Sequence, residues 1–288
     1  MQYLTIIDNT PYHHWQAELL IESFKMHNEA DKLCIGIANP EKPSLEDFTR
    51  NLTEHPNKFV FSDYEDKPVL NRIFGTAVAI KEKEIEQPFV LLDCDSMLRE
   101  PFKPDRDDHL IFHTAEPNKD LKSKIGKHIS ESLKGNHIQE ETLPWIPMGD
   151  TICFNGIDER FFFRALEWGD RLHEEFGNSI DVDNAAWIMA AYDFIRVESI
   201  HNDFLEVTMM HHDIEAPFVH YEHGLPPDFI KRNFTYKKSL SFFSAGSPFD
   251  AILKNNPTSV TDYMQKVVRS YLEGGDLRHQ DQEVATAS

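Results

Sequence analysis

Phe89-Val-Leu-Leu-Asp-Cys-Asp95 is the segment from which the rest of the chain can be ordered. Four apolar residues in a row, bounded by Pro88 and by two acids, read as a short strand buried on both faces, as found inside a parallel sheet. Alternation along an extended chain puts Asp93 and Asp95 on one side and directs Cys94 away. Two carboxylates so placed can share one hard divalent cation and leave positions open for diphosphate oxygens. The same D-x-D spacing also serves as plain strand-end capping, so its meaning rests on its surroundings.

Upstream, Tyr3-Leu-Thr-Ile-Ile7 is apolar and β-branched and runs into Asp8-Asn9-Thr10-Pro11, a turn or helix-entry signal. Trp15, Leu19, Leu20 and Phe24 at helical spacing predict a helix, and Leu33 to Ile37 a second strand ending at Asn39-Pro40, which completes a β-α-β unit. Lys58 to Phe61 reads as a third strand. Val69, Ile73, Ala77 and Ile80 mark one face of a helix over 68–83 that leads into Phe89. Downstream, Leu110 to Phe112 and Thr151 to Phe154 read as strands, separated by a polar, Lys- and His-rich segment over 116–141. Asp158 suits the cap of a helix carrying Phe161, Ala165, Trp168, Leu172 and Phe176 before Gly177. A further helix starts at Asp181, Pro217-Phe-Val219 forms a short strand leading to His220, and 261–272 is a terminal helix. Strands alternating with helices predict an α/β protein with a mainly parallel sheet.

Composition narrows the function classes. The 288 residues are 40% hydrophobic and 27% charged, ordinary for a folded globular chain. With 29 Lys plus Arg against 49 Asp plus Glu, the net charge of −20 disfavours nonspecific attraction to nucleic acid or anionic membrane. Cys34, Cys94 and Cys153 are widely spaced within apolar stretches and read as buried thiols of a reducing compartment. No apolar run approaches the roughly 20 residues of a membrane helix, and the N-terminus lacks the marks of a secretion signal, so a cytoplasmic protein is expected. The 15 histidines include no H-E-x-x-H or similar zinc spacing.

In this context the chain resembles the GT-A glycosyltransferases, particularly the retaining glycogenin-like and lipopolysaccharide-galactosyltransferase-like enzymes and the peptidyl arabinosyl- and galactosyltransferases. Four landmarks carry the resemblance in order: Ile7-Asp8-Asn9 with Tyr12 and Trp15-Gln16, then Asn71-Arg72, then Leu91-Leu-Asp-Cys-Asp95, then His220-Tyr221. It spans roughly residues 3 to 235. It implies a GT-A, Rossmann-like fold, with a mixed, mainly parallel sheet flanked by helices. Beyond it, the terminal helix over 261–272 gives a C-terminal helical extension. The expected division is a catalytic domain over 1–236, that extension over 237–273 and a disordered tail over 274–288.

The resemblance also implies roles. Asp8, Asn9 and Tyr12 would bind the base and ribose of a nucleotide-sugar donor, and the carboxyl ends of parallel strands are where an open α/β sheet takes ligands. Asp8-Asn9 equally suits a helix cap. Asn71 and Arg72 would face the donor, Arg being suited to phosphate, with a surface arginine as the bland alternative. Asp93, Asp95 and His220 would hold Mn²⁺ or Mg²⁺, imidazole favouring Mn²⁺; His211, His212 and His223 compete for the third place. The Gly-x-x-Lys-Pro-Trp that follows in the glycogenin group is missing here, and Lys231 or Arg232 could stand in for its cation. Asp183, Asp181 and Asn155 are the expected contacts to the reacting sugars, although Asp181 and Asp183 also suit a helix cap and Asn155-Gly156 an ordinary turn.

The expected reaction moves a sugar from a nucleoside-diphosphate sugar, UDP-sugar favoured, to an acceptor hydroxyl with retention. A glycan, a peptide, a small molecule or a hydroxymethylated DNA base could present that hydroxyl. Acidity weighs against the DNA base, and Lys119, Lys122, Lys124, Lys127 and Lys134 leave it open. Two alternatives use the same residues. A haloacid-dehalogenase-like phosphatase would employ Asp93 and Asp95 as nucleophile and acid/base, although that motif belongs on a first strand. A non-catalytic sugar-nucleotide-binding protein would keep the pocket without turnover.

Overall fold

The computed structural model describes residues 1–38, 50–103, 110–115, 146–179, 181–194, 205–207, 216–220, 253 and 262–274. The segment 116–141 with its lysines, Lys231, Arg232, His211, His212, His223 and the tail beyond 274 lie outside the described residues.

Strand β1 (Gln2–Asp8) leads through helix α1 (Pro11–Met26) to β2 (Leu33–Ala38). The short helix α2 (Arg50–Glu54) precedes β3 (Lys58–Phe61), and helix α3 (Asn71–Lys81) precedes β4 (Phe89–Leu92). These four strands are parallel neighbours in the order β3-β2-β1-β4. β2 and β4 are buried at every residue and β1 nearly so, as strands covered on both faces must be. At the sheet edge β3 alternates between exposed Lys58 and Val60 and buried Phe59 and Phe61.

The sheet continues antiparallel. β6 (Leu110–Ala115) and β7 (Ile146–Phe154) complete the order β3-β2-β1-β4-β7-β6. The expected α/β class, a mixed and mainly parallel sheet flanked by helices, is the one observed. A second sheet of three strands, each three residues long, joins β5 (Ser96–Leu98), β9 (Phe218–His220) and β8 (Leu205–Val207). The sequence does not disclose β5, β8 and α2, all too short for a periodicity to show.

Two apolar layers sandwich the main sheet. Leu4 and Ile6 of β1 face α3, α4 (Arg160–Phe176) and α5 (Asp181–Phe194), whereas Tyr3 and Ile7 face α1 and the small sheet. α3 lies close on the sheet: a Cβ on Gly75 would meet Phe61 Cζ at 2.7 Å and Ile6 Cδ1 at 2.9 Å. That close approach seats the first turn of α3 over the carboxyl end of β1. α4 ends at Gly177, whose φ of +67° a side chain would strain.

α1 is buried from His14 through Phe24, and the polar residues of that stretch each have a partner. Thr10 caps it by accepting the His13 N–H at 3.3 Å, so the cap is Thr10 rather than Asp8 or Asn9. The Glu18 carboxylate accepts the backbone N–H groups of Asn51 at 2.8 Å and Leu52 at 2.6 Å at the start of α2. Ser23 Oγ accepts the Leu98 N–H of β5 at 3.0 Å. Residues 262–274 form a helix, α6, that lies against α1 and β5: Ser270 donates to Glu22 at 2.7 Å and the Tyr263 hydroxyl to the Leu98 carbonyl. No helix among the described residues is long and apolar enough to cross a membrane.

Candidate metal centre and its surroundings

β4 ends at Leu92, and the chain turns before β5 begins at Ser96. The Ser96 N–H donates to the Asp93 carbonyl at 3.0 Å, so Asp93-Cys94-Asp95 lies in a tight turn, not on an extended strand. The expected alternation is therefore corrected in its cause: the turn, not the pleat, sends both carboxylates to one side. Cys94 points the other way and its thiol donates to Gln16 Oε1 of α1 at 2.8 Å. All three cysteines are buried, and burial pushes the Cys34 and Cys153 thiols up to about 12.

The turn carries the chain from the large sheet into the small one, and the small sheet brings the third group. Ser96 pairs with His220 in the β5–β9 ladder, which lays the imidazole beside the residue preceding Ser96. His220 Nε2 is 2.9 Å from Asp95 Oδ1 and 4.0 Å from Asp93 Oδ2. Asp93, Asp95 and His220 each offer a ligand atom within 4.8 Å of the others'. Asp95 and His220 are buried, Asp93 is half-exposed, and the cluster faces the carboxyl edge of the parallel strands.

Two carboxylates and an imidazole are a fitting donor set for Mn²⁺, and their mutual closeness suits one ion. Buried acids are seldom found clustered without a cation or an arginine to offset them. Here Arg72 supplies part of that offset. Its Nε is 3.0 Å from Asp93 Oδ1 and its Nη1 is 3.6 Å from Asp183 Oδ2. At 9% exposure it is not a surface arginine. α3 buries Arg72, Thr76 and Ala79 as well as Ile73, while Val69, Ala77 and Ile80 of the expected stripe are only partly covered.

The loop after β1 lies alongside. Asn9 continues the strand by donating its N–H to the Ala38 carbonyl at 3.2 Å, and its side-chain oxygen accepts from His14 Nε2 at 3.0 Å. Burial lowers the His14 ring to about 4, with His13 adding to the shift. Asp8 is half-buried and accepts from the Asn71 amide at 2.9 Å. Asn71 also donates to Asp63 at 3.0 Å and accepts the Tyr64 N–H at 3.0 Å.

Asp8, Asn9, Asn71, Arg72, Asp93, Asp95, Asp183 and His220 are thus gathered at one edge of the sheet. Asp183 lies in the first turn of α5 and reaches the metal side through Arg72. Tyr12 and Asp181 sit on the first turns of α1 and α5, with side chains outside the described set. Asn155 is the exception. β7 runs antiparallel to β4, with Thr151 opposite Leu92 and Phe154 opposite Phe89. Asn155 therefore emerges at the opposite edge, beside the double hydrogen bond of Gln87 with Ile157. The expectation for Asn155 came from the resemblance alone, and the antiparallel run of β7 puts it at the edge away from Asp93.

One residue absent from the sequence reading belongs here. Burial pushes the His13 ring below the ordinary imidazole value, opposed by the nearby charges of Asp8 and Asp95 and a hydrogen bond to the Asp8 backbone. Its ring is near both Asp8 and Asp95 and bonds the Thr10 hydroxyl at 3.0 Å, one turn beyond that cap. That spacing was the available signal, because residue i+3 of a helix lies over its own cap.

No protein-family model and no curated protein matches this sequence. Among solved structures, the chain is similar to the galactosyltransferase LgtC in complex with donor and acceptor sugar analogs. The TM-score is 0.49 and the identity 10%, covering 94% of this chain and 96% of that one. It is similar to the glycosyltransferase GlyE of Streptococcus pneumoniae TIGR4 at a TM-score of 0.47 and 11% identity, over 93% of this chain and 60% of GlyE. It is similar to the bifunctional glycosyltransferase WbbM at 0.42 and 13%, over 77% of this chain and 45% of WbbM.

Proposed function

We propose that the protein is a metal-dependent GT-A glycosyltransferase that moves a sugar from a nucleoside-diphosphate sugar, UDP-sugar favoured, to an acceptor hydroxyl with retention of configuration. The observation that carries this reading is the convergence of Asp93, Asp95 and His220 at the carboxyl edge of β1 and β4, within 4.8 Å of one another.

Asp93, Asp95 and His220 would hold Mn²⁺ or Mg²⁺, which supplies Lewis-acid neutralisation of a departing nucleoside diphosphate. Arg72 orients Asp93 and Asp183 together, so the metal side and the sugar side of the pocket share one guanidinium. Asp183 would fix a sugar hydroxyl, with Asp181 beside it on the same helix turn. Asp8, Asn9 and Tyr12 would bind the nucleoside, at the carboxyl end of β1 where open α/β sheets take ligands. Lys231 remains the candidate second cation for the diphosphate. The catalytic domain over 1–236, with its helical extension over 237–273, is part of the same proposal, as are a hydroxyl-bearing acceptor and a cytoplasmic location.

A thermal-shift matrix of UDP, GDP and ADP with and without Mn²⁺, on the wild type and Asp95→Ala, tests the reading. At about 100 times the dissociation constant the matching nucleotide adds roughly 2.7 kcal/mol of stability. The expected result is a Mn²⁺-dependent rise with one nucleotide that Asp95→Ala abolishes. No nucleotide-linked rise in any well sinks the proposal and brings the phosphatase forward.

A further inference from the structure

Asn71 is 2% exposed, and its amide is fully committed on the donor side. An amide nitrogen carries two hydrogens, and here one goes to Asp8 Oδ1 at 2.9 Å and the other to Asp63 Oδ1 at 3.0 Å. Its oxygen accepts the Tyr64 N–H at 3.0 Å. Asn71 therefore has no hydrogen to offer a ligand, yet it joins the loop after β1 to the loop after β3 across the carboxyl edge of the sheet.

The second loop is held under strain. Tyr64 to Lys67 closes a turn through the Lys67 N–H and the Tyr64 carbonyl at 2.7 Å. Its two central residues, Glu65 and Asp66, have φ of 46° and 58°, left-handed positions where glycine or asparagine is usual. Asp170 on α4 fastens both ends: one carboxylate oxygen accepts from the Tyr64 hydroxyl at 2.9 Å, the other from Lys67 Nζ at 2.6 Å. The Tyr64 ring also packs on Phe74, with centroids 5.1 Å apart. Strained backbone persists where its surroundings over-determine it, and here the over-determined atom is the N–H that Asn71 receives.

We infer that Asn71, the Tyr64–Lys67 turn and Asp170 form a strut that aims the Asp8 carboxylate at the nucleoside end of the donor. Asn71 and Asp170 are then positioning residues for nucleoside recognition rather than contacts to phosphate or sugar. This rests on the glycosyltransferase reading, because it takes the diphosphate to sit at Asp93 and Asp95. The nucleoside then falls on the side of β1 and β3, where the parallel strands open their loops. The like charges of Asp8 and Asp63 are held on either hydrogen of one amide, so replacing that amide by a carboxylate removes the tie and adds a third negative group.

Calorimetric titration with Mn²⁺ present separates the two ends of the donor. The probes are inorganic pyrophosphate and the nucleoside diphosphate that stabilises the wild type, UDP on this reading. Asn71→Asp is expected to weaken UDP about tenfold or more, the worth of one charge-assisted hydrogen bond, while pyrophosphate stays within about twofold of wild type. Asp170→Asn, a change at a half-exposed helix position, is expected to weaken UDP about threefold with pyrophosphate again unmoved, and it carries the test if Asn71→Asp does not fold. If both probes weaken in step in the variants, or UDP binds them as it binds the wild type, the strut is overturned and the glycosyltransferase reading stands. If the wild type binds neither probe with Mn²⁺, both fall together.

Discussion

The two halves of the candidate site are built on different terms. On the parallel side, β1, β2 and β4 are buried and lie side by side, with β1 between the other two, and Gly36 and Gly75 admit Phe59, Phe61 and Ile6 to within 3 Å of where a Cβ would stand. On the other side, β5, β8 and β9 are three residues each, and the pairing that matters joins Asp95 to a histidine 125 residues away. Asp93 belongs to the first region through Arg72 on α3, and Asp95 to the second through His220 on β9. The D-x-D turn is therefore a seam. One of its carboxylates is positioned by local, closely packed structure and the other by a long-range ladder, so disturbing either region should unseat one carboxylate before the other.

Removing Arg72 tests the first half most severely. Arg72→Met keeps the volume but leaves Asp93 and Asp183 without the buried positive charge between them, which should cost about 4 kcal/mol in urea unfolding. A cation held by Asp93 supplies part of the missing charge, so Mn²⁺ is expected to raise the melting temperature of the variant more than that of the wild type. Equal Mn²⁺ shifts in the two proteins would mean that Arg72 and the ion do not share Asp93.

The next effect is on pH. His14, buried on α1 and bonded to Asn9, is lowered to about 4 from 6.5. Its folded value lies below its unfolded one, so the folded state binds fewer protons between those values. The stability from keeping the ring neutral is complete above about pH 6.5 and is lost as pH falls toward 4. The full loss is roughly 3 kcal/mol. Urea midpoints from pH 7 to 4 should fall in the wild type and fall markedly less in His14→Gln. A parallel fall in both would assign the acid sensitivity to His13, His27 and His55, which burial lowers in the same direction.

The same seam separates what the sequence disclosed from what it hid. The Tyr3–Ile7, Leu33–Ile37, Lys58–Phe61 and Phe89–Leu92 runs were readable because parallel strands carry their burial in their own composition. Asp93 and Asp95 were readable as a pair because they are near in sequence, though the turn that aims them was not. His220 was reached only through a resemblance, since nothing in Phe218-Val-His220 says that it pairs with Ser96. Asn155 likewise rested on the resemblance, since nothing in Thr151-Ile-Cys-Phe154 says that this strand runs antiparallel to β4. Asp63 and His13 were overlooked because their significance lies in contacts to Asn71, Asp8 and Asp95, not in any spacing of their own.

The smallest effect probes the far side of the seam. Leu98 ends β5, and its two backbone groups are held from different parts of the chain: Ser23 on α1 accepts its N–H at 3.0 Å, and the Tyr263 hydroxyl on α6 donates to its carbonyl. His27 reaches the same hydroxyl at 3.0 Å, and Arg99 lies over the Tyr263 ring at 5.6 Å. Tyr263→Phe keeps the ring and its packing while removing the hydroxyl, so the expected loss is about 1 kcal/mol, the net worth of a hydrogen bond. Its informative consequence is local. A three-residue strand with one end released should let Asp95 and His220 drift relative to Asp93, so Mn²⁺ affinity by calorimetry is expected to fall a few-fold, out of proportion to the small stability loss. Hydrogen exchange at Leu98 should rise while exchange along β1 and β4 does not. If Mn²⁺ binds Tyr263→Phe as tightly as it binds the wild type, α6 does not act on the metal turn. The β5–β9 pairing alone then sets the position of Asp95.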